Sequence, residues 1–308
     1  MATKVLGQLS DIDLRLLRVF RVVAESGGVS AAEVELNIGR STISRHLKDL
    51  EIRLGVVLCR RGRSGFALTE EGQTIYKASL RLLAAMDEFR GEVNDVHQQM
   101  TGNISIVLFD KTVTNPQAAI SKALRLFERA APKVELEVFV EPLNEIERGL
   151  LDGRFQVGVV PLQRTASGIH YEPLFKEQMY LYCGRQHSFW DKSEISNAEI
   201  LAAKYAGLGY MSPNMQIGQQ LSMQRAATGY DQEAIATLIM SGCYLGYLPD
   251  HYAKQFVEQG MMKSVGEATF QYLCEFSTAY RLSPKPSRVV DTFIQCLRQA
   301  HDLVAVPS

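Results

Sequence analysis

The chain has 308 residues, 46% of them apolar and 22% charged, with a formal net charge of −1 at neutral pH. That length accommodates two or three domains, and that balance excludes a collagen-like, disordered or membrane-embedded chain. No apolar run approaches the ~18 residues of a membrane span, and Met1 to Asp11 lack the apolar core of a signal peptide. The expectation is a cytoplasmic protein without membrane contact. Cys59, Cys183, Cys243, Cys274 and Cys296 are far apart in sequence, without CxxC or Cys/His metal spacing. Most of them read as small core residues, and neither a metal nor a cofactor is predicted.

Residues 10 to 26 predict a first helix. Ser10 caps it with Asp13 at the capping-box position, Leu16, Val19, Phe20 and Val23 form its apolar stripe, and Gly27-Gly28 ends it. Arg15, Arg18 and Arg21 lie on its outer side, open to solvent or to phosphate. Ser30 starts a short second helix that Asn37-Ile38-Gly39 breaks. A third runs from Arg40 to Leu54, with Ile43, Leu47, Leu50 and Leu54 on one face and Ser41, Ser44, Arg45 and Lys48 on the other. Two helices around a tight turn, the second with one apolar and one basic face, make a helix-turn-helix.

That face suits DNA. Arg45 can meet a guanine bidentately, Ser41 and Ser44 can meet base edges or phosphates, and the helix start at Arg40-Ser41-Thr42 offers N–H groups to a phosphate. Val56-Val57-Leu58 and Phe66-Ala67-Leu68 flank a basic, Gly-bounded tip and predict a hairpin wing carrying Arg61 and Arg63. From Leu36 to Leu68 seven Lys/Arg stand against two acids, so positive charge is concentrated here in a chain of net charge −1. The candidate DNA contacts are Arg40, Ser41, Thr42, Ser44, Arg45, Lys48, Arg61 and Arg63.

Thr69 caps a helix predicted to run to about Met100. Ile75, Ser79, Leu82, Met86, Phe89, Val93, Val96 and Met100 alternate by four and three, the heptad spacing of a coiled coil. At 1.5 Å per residue the helix is roughly 45 Å long. Its stripe can pack on its own domain or on a second copy; sustained heptads favour the second copy.

Beyond Thr101-Gly102 strands and helices alternate. Strands are expected at Ile104 to Phe109, Val134 to Val140, Val157 to Val160, Met179 to Tyr182, Tyr205 to Leu208, Tyr244 to Leu248 and Ser277 to Arg281. Helices are expected from Asn115-Pro116, at Glu145 to Leu151, Ala198 to Ala203, Asp231 to Met240, Pro249 to Glu258 and Ser287 to Leu303. This order predicts a parallel sheet with helices on both faces, in two lobes joined by crossovers near Glu172-Gln178 and Tyr272-Phe276.

The N-terminal residues resemble the LysR-type transcriptional regulators. Ile43-Ser44-Arg45, Leu50-Glu51, Leu54-Gly55, Leu58-Cys59-Arg60-Arg61 and Leu68-Thr69-Glu70-Glu71-Gly72 match that family's signature in order and without gaps. Three positions depart: Ala32-Glu33 stands for an Ala-Ala pair, Arg40-Ser41 for Gln-Pro, and Cys59 for a wing phenylalanine. The C-terminal half is similar to the family's effector domain, built like a type 2 periplasmic binding protein, through Gly153, Val157-Gly158-Val159-Val160-Pro161, Glu172-Pro173-Leu174 and Met240-Ser241-Gly242 through Pro249. The resemblance implies a winged helix-turn-helix (1-68), a linker and dimerisation helix (69-101), and a two-lobed α/β effector-binding domain. Its first lobe takes 102-176 and 275-308, and its second takes 177-274. It further implies a homodimer or homotetramer on an inverted repeat in double-stranded DNA, an effector in the cleft, and action on RNA polymerase.

Ligands of such sheets sit beyond the carboxyl ends of the strands. That places Lys111, Thr112, Thr114 and Asn115, then Glu141 and Pro161, opposite Gly209, Tyr210, Ser212 and Tyr247, with one cation and several hydroxyls suited to a small anion. Thr114 and Asn115 can equally cap a helix, and Tyr247 can be core. No nucleophile elbow, HExxH, Walker loop or GxGxxG follows a strand, so no catalytic residues are predicted. The alternatives are a redox-responsive regulator of the same architecture, and an α/β binding protein or enzyme with an incidental helix-turn-helix. A purely architectural DNA binder would not need the large C-terminal half.

Overall fold

The computed structural model describes residues 8–62, 65–96, 100–162, 164–283 and 285–302. The chain divides into two compact units between Arg90 and Gly91.

The first unit holds α1 (Asp11–Glu25), α2 (Val29–Leu36), α3 (Arg40–Leu54), the antiparallel hairpin β1 (Cys59–Gly62) and β2 (Gly65–Leu68), and the start of α4 (Glu70–Val96). Its core is the predicted one: Leu16, Phe20 and Val23 of α1 meet Ala32, Ile43, Leu47, Leu50 and Leu58. Each of these side chains other than Ala32 contributes roughly 1.5–3 kcal/mol through burial. Asn37 makes the turn between α2 and α3 in the left-handed conformation, which asparagine tolerates. Asp13 accepts hydrogen bonds from the Ser10 backbone N–H at 2.8 Å and from Arg53, tying α1 to the end of α3. The Arg53 guanidinium holds that carboxyl well below the usual range.

Two signature side chains fasten the wing. Glu51 accepts the Leu58 N–H at 2.8 Å. Thr69 accepts the Gly72 N–H at 2.8 Å and so caps α4, while its hydroxyl donates to the Val57 carbonyl at 2.6 Å. The stripe of α4 splits in use. Ile75, Tyr76 and Leu82 pack on the first unit's core and Leu80 and Leu83 are buried, whereas Phe89 is 66% and Val93 42% exposed.

The second unit orders β3 (Gly102–Leu108), α5 (Ile120–Ala130), β4 (Val134–Val140), α6 (Leu143–Asp152), β5 (Val157–Pro161), β6 (Ile169–Gly184), α7 (Asn197–Ala202), β7 (Lys204–Leu208), α8 (Pro213–Gln220), β8 (Gln224–Gly229), α9 (Gln232–Met240), β9 (Leu245–Pro249), α10 (Asp250–Glu258), β10 (Met262–Ser264), β11 (Gln271–Arg281) and α11 (Arg288–Ala300). One sheet runs through both lobes in the order β4-β3-β5-β11-β6-β9-β7-β8, with β10 added to β6.

This corrects the expectation of a parallel sheet. β3, β4 and β5 are parallel, as are β7, β8 and β9, but β11 runs antiparallel to β5 and β6, and β6 antiparallel to β9. The expected crossovers at Glu172-Gln178 and Tyr272-Phe276 lie inside β6 and β11, which pair with each other along their length. Lys176, Glu177 and Glu275 interrupt the apolar pattern there, although Leu174, Phe175, Cys274 and Phe276 are buried in the core. The helix expected at Asn115-Pro116 starts at Ile120 instead. The Asn115 side chain accepts the Gln117 N–H at 2.8 Å and stabilises a turn in its place.

Candidate functional site

On α3 the faces separate as the spacing predicts. Ile43, His46, Leu47 and Leu50 are buried, Ser41, Arg45 and Lys48 are exposed, and Thr42 and Ser44 are half-buried between them. Burial pushes the His46 imidazole pKa down, which keeps a neutral ring beneath the basic surface.

The helix start differs from expectation. Arg40 does not present a free N–H: its backbone N–H donates to Glu33 Oε1 at 3.3 Å and its guanidinium Nε to Glu33 Oε2 at 3.1 Å. The Thr42 N–H is used by the Gly39 carbonyl at 2.9 Å. Two of the three positions that depart from the LysR-type pattern therefore bond to each other. The third, Cys59, is buried in the core at the root of the wing. Arg60 is exposed on β1 opposite Ala67, while Arg63 and the side chain of Arg61 lie outside the described residues.

In the second unit the residues after β3 reach across to the other lobe. Lys111 Nζ lies 3.0 Å from Glu233 Oε2 and 5.1 Å from the centroid of the Tyr252 ring. Thr114 Oγ1 is 2.8 Å from His251 Nδ1, and His251 Nε2 is 2.8 Å from Glu177 Oε1. Burial pushes the Glu177 carboxyl up. Tyr210 meets Phe109 edge-on at 6.4 Å.

The structure thus brings Lys111, Thr114, Asn115 and Tyr210 to one place, but engages the groups expected to receive an anion with neighbours of this chain. Thr112 is buried, and Glu141 is half-buried with its N–H on the Leu108 carbonyl at 3.1 Å. Ser212 is buried and caps α8, accepting the Met215 N–H at 3.2 Å. Pro161 sits in the ladder opposite Phe276. Gly209 lies against Tyr230, where an added Cβ would come within 2.6 Å of the ring. Tyr247 is fully buried, and among the described residues its hydroxyl has no hydrogen-bond partner.

Asp110, Glu177, Gln232 and His251 complete this cluster and were not among the predicted residues. Asp110 had a signal, being the acid next to Lys111 just past a strand, whereas the others are distant in sequence. Cys59, Cys183, Cys274 and Cys296 are buried, and burial raises the thiol pKa of Cys183, Cys274 and Cys296, which suits core packing rather than redox chemistry.

Two family models match the chain. Residues 14–73 match the bacterial regulatory helix-turn-helix protein, lysR family, and residues 97–302 match the LysR substrate binding domain. The HTH-type transcriptional activator BauR of Pseudomonas aeruginosa is 41% identical over 294 residues, covering 95% of this chain and 96% of that relative. The crystal structure of CbnR, a LysR family transcriptional regulator, aligns with a TM-score of 0.63 at 21% identity, over 94% of this chain and 99% of that one. Full-length CbnR complexed with its target DNA aligns with a TM-score of 0.61 at 22% identity, over 93% and 99%.

Proposed function

Because the chain belongs to the LysR family of transcriptional regulators, with its DNA-binding and effector-binding domains both present, we propose that α3 reads operator DNA through Arg45 and its neighbours under control of a small molecule held between the lobes. The observation that carries the reading is the exposed row Ser41, Arg45 and Lys48 on a helix whose opposite face is buried. Phosphate contacts come from Arg40, Thr42, Ser44 and the wing arginines Arg61 and Arg63. The working division keeps 1-68 for DNA, 69-101 for pairing, and the two lobes beyond. No described helix is long and apolar enough to cross a membrane, and a cytoplasmic location follows from the role.

The unit of action is a homodimer or a pair of dimers on an inverted repeat. One recognition helix covers only a few base pairs, and two at fixed spacing read a palindrome. Effector binding shifts the population between two arrangements of the assembly and so the recruitment of RNA polymerase. A relative named as an activator makes activation the expected outcome. The test is genome-wide occupancy of the tagged protein in its host, with footprinting of the strongest site. An inverted repeat near a promoter supports the reading, and absence of enrichment overturns it.

Pairing draws on Met86, Phe89 and Val93, the part of the α4 stripe beyond the first unit's core. Replacing Met86 and Phe89 together by Glu is expected to weaken self-association by more than about 100-fold, since buried anchors carry most of an interface's energy. Sedimentation velocity reads the result. A variant that stays dimeric rules out this seam.

A further inference from the structure

The cluster between the lobes contains two buried acceptors that the described residues do not satisfy. Asp110 uses one carboxylate oxygen, Oδ2, to accept the Gln232 N–H at 2.6 Å, while its Oδ1 is buried and without a hydrogen-bond partner. Gln232 is only 3% exposed, and its amide Oε1 is also buried and without a partner. Idle acceptors are costly when buried, and native structures seldom keep two on a pair of residues that bond to each other unless a donor arrives from elsewhere.

The chain's nearest cation does not supply that donor. Lys111, the next residue, directs its ammonium at Glu233 and over the Tyr252 ring. The other groups acting on Asp110 are acidic: Asp231 at the cap of α9, and Glu177 in β6. Burial pushes the Asp110 carboxyl up to about 6, so near neutrality it is a charge held at a cost and in want of a counter-charge. Glu233 and Glu177 are engaged by Lys111 and His251, so an anionic group placed here would meet chiefly Asp110 and Asp231, whereas a cation with several N–H donors would relieve them.

Building on the reading that the effector lies between the lobes, we propose that this site receives a primary ammonium group on Asp110 Oδ1 and Gln232 Oε1, so that the effector is an amine rather than a simple anion. The Tyr210 and Phe109 rings beside Asp110 would exclude water from the bond.

Three probes of one chain length separate the chemistries: propylamine, propionate and propan-1-ol, each added to the full-length protein in a thermal melt. Propylamine at saturating concentration is expected to raise the melting temperature by roughly 2–4 °C, and the other two by less than about 1 °C. Asp110→Asn should remove the propylamine shift. It keeps an oxygen for the Gln232 N–H and removes a buried charge, so it should fold. Gln232→Met should reduce the shift without removing it. A larger shift with propionate overturns the ammonium site while leaving an effector between the lobes. A propylamine shift that survives Asp110→Asn, or no shift with any probe, also overturns the ammonium site. DNA occupancy decides the regulator reading separately.

Discussion

Gly72→Ala is expected to destabilise the N-terminal unit by roughly 3 kcal/mol. Gly72 sits in the first turn of α4, where its N–H meets the Thr69 hydroxyl. A Cβ on it would lie 1.9 Å from the Leu58 carbonyl oxygen, inside any permissible contact. That oxygen is backbone and already accepts the Thr69 N–H at 3.1 Å, so it cannot swing away as a side chain would. Relief requires moving α4 off the approach to the wing and opening the core beneath Leu58. Chemical denaturation with a probe in the first unit reads the loss. An unchanged midpoint would show that the close approach is not there.

Arg45→Ala is expected to weaken operator binding by about 1–3 kcal/mol, or roughly 5- to 150-fold, and to relax base preference at one position in each half-site. Arg45 is exposed one residue before the buried His46 and Leu47, so the helix that carries it is anchored while its guanidinium reaches outward. Lys48→Ala should behave differently. It should lower affinity evenly across sequences and reduce the dependence on salt by about one counterion, the mark of a phosphate contact. Equal operator affinity for Arg45→Ala and the parent would refute the base-reading role.

The N-terminal unit was legible because its determinants are local. The i, i+4, i+7 spacing on α3 and the Thr69 cap lie within short stretches, and Glu51 reaches only seven residues to Leu58. The second unit was legible where a strand is a continuous apolar run, as at Val157–Pro161, and illegible where charged residues interrupt the run. Lys176 and Glu177 sit inside β6 because β11 hydrogen-bonds alongside them, and no period in the sequence announces that. Lys111 and Thr114 were read as facing a ligand, and the structure engages both with side chains of the opposite lobe. Their partners Glu233 and His251 are more than a hundred residues away, and hydrophobic periodicity carries no information about such pairs. The same distance hid Gln232 behind Asp110. The α4 heptads looked uniform, yet Ile75 faces a core that Phe89 never reaches.

The bond between Glu33 and Arg40 has a consequence for how this protein can change by descent. Exposed ion pairs add little to stability, so either residue could drift without unfolding anything. Function is less forgiving. Losing Arg40 alone would leave a carboxylate beside the phosphates this surface is to meet, and losing Glu33 alone would release a guanidinium with nothing to fix its direction. Each single step passes through an intermediate with altered affinity for every promoter at once. The two positions are accordingly expected to be inherited as one character, replaced together or kept together when a lineage acquires a new set of genes to govern.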